Sequence, residues 1–152
     1  MSTARIRPAQ PPDGPRLQEL QGYLSEPSPA LLTAALDRLS TESLPHSGSE
    51  MWRLIVSPDH TDEPVGYLLA FDGTTTHIAE LVVAPSSRRE KRATALLDAV
   101  CASTIRPVTV CVAAQNEAAR SLYGRYGFVE IDRQNEQFDS GDGLTLRYDP
   151  AL

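Results

Sequence analysis

Four cationic side chains, Arg88, Arg89, Lys91 and Arg92, crowd the segment where the apolar run ending at Val83 gives way to a helix-like pattern. Unpaired amides at a helix start and the positive end of the helix dipole favour an anion, and basic side chains strengthen that preference. With no anion the arrangement is mildly unfavourable, because each cation at a helix N-terminus opposes the dipole by roughly 0.3 to 1 kcal/mol. Phosphate binding is therefore the chemistry this segment suits, with a merely solvated basic helix start as the plain alternative. Neither G-x-x-x-x-G-K-[ST] nor G-x-G-x-x-G occurs in the chain, which disfavours a P-loop or a dinucleotide-binding turn.

Other residues invite acid–base chemistry. Glu80 interrupts the apolar run Ile78 to Val83, and a carboxylate in an interior strand is unfavourable unless it is solvated or paired. It is a candidate general base acting through water, or simply a glutamate at a wet strand end. His77 is a second candidate, and an exposed strand start is its simpler reading. Tyr123 shares a helical stripe with Leu122 and Tyr126, which suits a core residue. Its phenol, with an ordinary pKa of about 10, is also protonated at neutral pH and able to donate. Cys101 and Cys111 build no disulfide framework, and each sits in an apolar pattern. A nucleophilic cysteine is disfavoured, since Cys111 lies in the run VTVCVA with no cue for a Cys/His pair.

The elements that must position these groups are legible from period and punctuation. Ala4 to Ala9 is a short strand, closed by Pro11, Pro12, Asp13, Gly14 and Pro15. Two helices follow, one carrying Leu17, Leu20, Tyr23 and Leu24, the other, after Ser28 and Pro29, carrying Leu32, Ala35, Leu36 and Leu39. Residues 40 to 49 have loop composition. The period then changes to that of strands at Met51 to Val56, Val65 to Phe71 and Thr75 to Val83, with Asp72-Gly73 marking a hairpin. A helix from Arg89 to Ser103 has Ala93, Leu96, Leu97, Val100 and Cys101 on one face. The strand Val108 to Ala113 leads to a helix capped by Asn116 and stopped at Gly127. Phe128 to Phe138 and Leu144 to Tyr148 form a final hairpin. The order predicts one α+β (mixed α/β) domain over residues 1–152, with a mostly antiparallel sheet of about seven strands and two helices on each face.

Composition bounds the partners. The 152 residues, 41% hydrophobic and 22% charged, suit a single globular domain. A net charge of −6 argues against duplex nucleic acid, which needs a broad basic footprint. The chain starts without the apolar core of a secretory signal and holds no apolar run near the roughly 20 residues that span a bilayer. A soluble, cytoplasmic protein that binds neither nucleic acid nor membrane is expected.

Two motifs carry a resemblance to a known family. Leu81-Val-Val-Ala-Pro85 followed by Arg88-x-x-Lys91-x-Ala93-Thr-Ala-Leu-Leu97 resembles the acetyl-CoA signature of the GNAT superfamily of N-acetyltransferases, whose usual pattern is Q/R-x-x-G-x-G/A. Asn116-Glu-Ala-Ala119-Arg-Ser-Leu-Tyr123-Gly-Arg-Tyr-Gly-Phe128 is similar to the family's N-x-x-A-x-x-L-Y-x-x-x-G-F and is the more specific of the two. With the element order, the resemblance spans Arg5 to Tyr148. It implies acetyl-CoA as cosubstrate, without a metal, and coenzyme A pyrophosphate as the anion at the basic loop. Leu81, Val82 and Val83 would pair with the pantetheine arm as a strand pairs with a sheet edge. Arg88, Arg89, Glu90, Lys91, Arg92, Ala93 and Thr94 would wrap the pyrophosphate, with Asn116 capping its helix and touching the cofactor. Tyr123 takes the general acid's position, Glu80 that of an acidic group in some members, and the oxyanion would meet an amide near Leu81 or Val82. One departure is clear: Lys91 and Ala93 stand where the family carries loop glycines, whose tight turns and positive φ other residues adopt less readily.

The resemblance implies direct acetyl transfer to a primary amine. The acceptor site would draw on Glu26 to Leu32, Ser40 to Glu50 and Asn135 to Asp142, with Trp52 nearby. Glu42, Glu50, Glu136 and Asp139 would attract a cationic amine there or serve as ordinary solvated charges. A small-molecule amine is the expected acceptor, because Cys111 stands where protein N-terminal acetyltransferases of the ribosomal type commonly carry a glutamate. A protein N-terminal or lysine acetyltransferase, or a non-catalytic acyl-CoA-binding regulatory module, are the alternatives, the last motivated by Lys91. A homodimer is what the family often shows.

Overall fold

A computed structural model of the chain describes residues 5–40, 52–88, 90–138 and 141–150. Eleven regular elements follow in the order β1 (Arg7–Pro8), α1 (Gly14–Gln21), α2 (Pro29–Ser40), β2 (Trp52–Pro58), β3 (Pro64–Asp72), β4 (Thr76–Val83), α3 (Arg92–Ala102), β5 (Val108–Ala113), α4 (Glu117–Tyr126), β6 (Val129–Phe138) and β7 (Gly141–Tyr148). The seven strands form one sheet in the order β1-β2-β3-β4-β5-β7-β6. Every neighbouring pair is antiparallel except β4 and β5. That single parallel contact follows from chain order, since only a crossover such as α3 can return the chain to run alongside β4.

The sheet separates two cores. On one face Leu17 and Leu20 of α1 and Leu32 and Ala35 of α2 pack against Val56, Tyr67 and Leu69. On the other, Leu96, Leu97 and Val100 of α3 and Tyr123 of α4 pack against Leu68, Ile78, Val110 and Leu144. Each fully buried leucine contributes about 1.5 to 3 kcal/mol, so the helices are held by these stripes more than by propensity.

Several expected boundaries differ from those observed: α3 starts at Arg92, not Arg89, β2 runs on to Pro58, and the first and last strands differ as well. The first strand pairs only at Arg7 and Pro8, with one further bond from Ala9 N to Leu54 O at 2.9 Å, because Pro11 then starts a 3-10 turn. The last strand begins at Gly141, three positions before its apolar alternation shows. Asn116 caps α4 as expected, its side-chain oxygen accepting from Ala119 N at 3.1 Å. Gly127 ends the helix at φ 126°, and a Cβ there would lie 3.1 Å from the Tyr148 ring. Glycine is thus required by conformation and by space. Among the described residues no helix is long and apolar enough to cross a membrane.

Candidate active site

The site grows from a defect in the sheet. β4 and β5 pair only over Thr76 to Ile78 against Val108 to Val110. Beyond that point β4 stays with β3 as far as Val83, while β5 stays with β7 as far as Ala113, so the two strands part. Ala84 N donates to Val65 O at 2.8 Å, in register with the pairs Val82 to Tyr67 and Glu80 to Leu69. Main-chain bonds alternate sides in an antiparallel ladder, so Val82 and Glu80 spend theirs on β3. Leu81 and Val83 turn their N–H and C=O toward the gap. Of the three residues expected to pair with a pantetheine arm, Leu81 and Val83 turn main-chain groups to the gap and Val82 turns its own to β3. Of the two amides expected near an oxyanion, that of Leu81 is turned to the gap and that of Val82 to β3.

At the mouth of the gap lies the basic loop. Lys91 precedes α3 in a left-handed conformation at φ 62° and gives no side-chain cap. Ala95 N is the first to bond back, to Lys91 O at 3.0 Å, which leaves the amides of Arg92, Ala93 and Thr94 without helical partners. Glycine's usual backbone geometry is thus kept by a lysine, at an energy of roughly 1 to 2 kcal/mol. Arg88 folds back so that its Nε donates to Val83 O at 3.2 Å, placing its guanidinium at the end of the gap. Arg92 is committed elsewhere: its Nη1 donates to Ser57 Oγ at 2.9 Å and Pro58 O at 3.0 Å, and its Nε to Glu90 at 2.6 Å. Of the expected loop cations, Arg88 is tied to the end of β4, Lys91 is exposed at the start of α3 and Arg92 braces β2. Arg89 lies outside the described residues.

Tyr123 is buried in the same cluster that holds Leu81, Val83 and Val112, the residues bordering the gap. Burial pushes its phenol well above the ordinary value. Its ring meets Phe128 edge-on. No fully enclosed side-chain nitrogen or oxygen lacks a hydrogen bond among the described residues, so a hydroxyl without a partner must open to the gap or to solvent.

Glu80 stands on the opposite face, and a bulge explains why. Register slips between Leu69 and Ala70, leaving Ala79 as an extra residue on β4. An extra residue inverts the alternation of side chains. Ile78 and Leu81 therefore both face the α3 side, while Ala79 and Val82 face the α1 side. Glu80 goes with Val82 and is only 3% exposed. Gln21 Nε2 donates to both carboxylate oxygens at 3.1 and 2.9 Å, the Tyr67 hydroxyl donates at 2.8 Å and Ser28 N at 2.5 Å. These four bonds fill the roughly four acceptor positions of a carboxylate, and none remains for a proton from an incoming amine. The interruption in the apolar run was a sound signal of a special residue; its partners, 52 and 59 positions away, were not visible in sequence.

Further expected residues lie farther from the gap. His77 is at the closed end, bonded to Thr109 Oγ1 at 2.9 Å, and its burial lowers its pKa. Glu136 is exposed at φ 50°, its N–H donating to Asp142 at 3.0 Å. Glu42, Glu50 and Asp139 lie outside the described residues. Sequence reading did not single out Thr145, whose Oγ1 lies 3.6 Å from Cys111 Sγ on the neighbouring strand beside the gap.

The profile of the acetyltransferase (GNAT) domain matches residues 24–143. No curated protein matches the chain. Among solved structures, an acetyltransferase of the GNAT family from Desulfovibrio desulfuricans superposes with a TM-score of 0.73 at 17% identity, covering 97% of this chain and 99% of that one. Arabidopsis thaliana NAA60, in complex with a bisubstrate analogue, gives 0.76 at 20% identity over 95% and 97%. A variant of the spermidine N-acetyltransferase SpeG from Vibrio cholerae gives 0.76 at 16% identity over 97% and 94%. At such identities these likenesses show the shared fold.

Proposed function

The chain belongs to the GNAT family of acetyltransferases, and from that premise we propose that it moves an acetyl group from acetyl-CoA to the primary amine of a small molecule. The observation that carries this reading is the gap between β4 and β5, with the Leu81 main-chain groups and the Val83 N–H turned into it, Val83 O held by Arg88, and uncapped α3 amides near its mouth. An extended amide-bearing arm suits the first, and a pyrophosphate suits the second. Acetyl-CoA would supply the activated acyl group as a thioester.

The chain's own residues then have distinct tasks. Leu81 N–H is placed to stabilise charge on an acyl oxygen, a contribution of roughly 3 to 4 kcal/mol for one such donor. Tyr123, kept protonated by burial, gives its hydroxyl proton to the departing sulfur. The amine reaches the gap from the α1 side, across Cys111 and Thr145, and loses its proton to water. Arg88 and Lys91 attract the pyrophosphate.

A calorimetric titration of the purified chain with acetyl-CoA tests the binding half of this reading. Binding near the micromolar range that weakens about tenfold on replacing Arg88 and Arg89 by alanine is expected, the equivalent of about 1.4 kcal/mol. No detectable binding would overturn it. A non-catalytic acyl-CoA-binding module is the second reading, favoured by the lysine held at φ 62° in the loop. Retained acetyl-CoA binding with no turnover on any primary amine supports that second reading.

A further inference from the structure

Glu80 is a buried carboxylate whose three partners are all neutral. They come from separate places: Gln21 from the last turn of α1, Tyr67 from β3, and the main-chain N–H of Ser28 from the end of the α1 to α2 connection. The residue therefore joins two strands of the sheet to the end of one helix and the start of the next. Its neighbour Leu81 turns its main-chain groups to the gap. The segment from Gly22 to Ser28 is thus fastened directly over the point where β4 and β5 part.

We propose that Glu80 is a positioning residue, which sets the acceptor entrance by holding the α1 to α2 connection against β4, and that it is not the base. This rests on the gap being the acetyl-CoA site. A buried carboxylate satisfied by good donors is stable where it is, whereas taking a proton from an amine would require breaking one of its four bonds. The bond to Ser28 N is the shortest of the four and the only one to the connection itself. Pro27 and Pro29 flank Ser28, so the backbone there has few alternatives once that amide is held. A glutamine at position 80 keeps the size but offers one acceptor oxygen and sets an NH2 against the remaining donors.

The test compares wild type, Glu80→Gln and Tyr67→Phe. Hydrogen exchange of a peptide spanning residues 22–32 should quicken about tenfold or more in Glu80→Gln, from loss of a charge-assisted hydrogen bond. Tyr67→Phe leaves the Ser28 bond in place and should quicken it only about threefold or less. Unchanged exchange in Glu80→Gln overturns the proposal, and this readout needs neither cofactor nor acceptor. Acetyl-CoA titration of the same proteins should give wild-type affinity, and failure of wild type to bind would refute the site reading separately. With an acceptor drawn from polyamines, amino acids and dipeptides, Glu80→Gln should raise the acceptor KM about tenfold and keep kcat within about threefold. A kcat loss of about a hundredfold, with the acidic limb of the pH profile abolished and KM unchanged, would instead mark a base. Tyr67→Phe should fold even if Glu80→Gln does not, and exchange of residues 22–32 quickened about tenfold or more in that variant with an acceptor KM equal to wild type's would also count against the proposal.

Discussion

The Tyr123 and Phe128 rings meet edge-on with centroids 5.1 Å apart, and this apolar contact is the tyrosine's anchor. Removing the hydroxyl therefore leaves the packing intact. Tyr123→Phe should change stability by less than about 0.5 kcal/mol and leave acetyl-CoA affinity unchanged, while lowering kcat by about a hundredfold or more, the usual contribution of a general acid. Melting curves, calorimetry and steady-state rates on one amine check all three. A kcat equal to wild type's would remove Tyr123 from the chemistry.

Burial raises the Tyr123 pKa above its ordinary value of 10.0, which fixes the alkaline behaviour. Because the folded-state value is raised, the associated stability is full below the unfolded value and is lost as pH rises through the folded one. The rate with a primary amine should climb with pH as the amine loses its proton, then level off with no fall below about pH 10. A descending limb near pH 8 in the kcat profile would contradict this.

Lys91 sits at φ 62°, where glycine is the favoured residue. Lys91→Gly should stabilise the fold by about 1 kcal/mol, a rise of about 2 to 4 °C in Tm for a chain of this size. It should also weaken acetyl-CoA binding several-fold and flatten its salt dependence, since one cation leaves the phosphate loop. Thermal scans and titrations at two ionic strengths read both effects. Tighter binding in the glycine variant would show that the lysine obstructs the loop.

Gly66 on β3 faces β4 at close quarters. A Cβ there would lie 3.0 Å from Val82 O and 3.1 Å from Val83 Cγ2. Gly66→Ala must push β4 away at the residues that border the gap, so a loss of about 1 to 3 kcal/mol is expected. Denaturant unfolding measures it. Acetyl-CoA affinity should fall in the same variant.

Asp13 governs the acid side. Its burial alone would raise its pKa, but Arg7, at 2.9 Å, and the Gln10 N–H bring it below the ordinary 3.8. A lowered folded value means stability that is present above the unfolded value and is lost as pH falls through the folded one. Asp13→Asn should lose about 2 kcal/mol at pH 7, with the gap to wild type closing below about pH 4. Equal unfolding free energies of the two proteins at pH 7 would rule this out.

Most of the fold was legible because its signals are local. Strand and helix periods, the Asn116 cap, the Gly127 stop and the apolar stripes of α3 and α4 are each fixed by residues a few positions apart. The two GNAT-like motifs likewise lie in single segments, so the placement of Tyr123 and the basic loop was readable. The shortness of β1 was less so, because only pairing with β2 reveals how far a proline-containing strand can extend.

Sequence by itself determined that this chain has a mixed sheet with one crossover, a basic loop before α3 and a tyrosine on the α4 stripe. Tertiary structure alone decided which groups are free to act. A bulge at Ala79 reverses the side-chain alternation of β4 and turns Glu80 toward Gln21, Tyr67 and Ser28. Ladder alternation turns Leu81 and Val83 to the gap while Val82 is spent on β3, and Arg92 is drawn away to Ser57 and Pro58. Each of these depends on contacts between residues far apart in the chain, where pairing and geometry assign partners that composition and spacing do not encode.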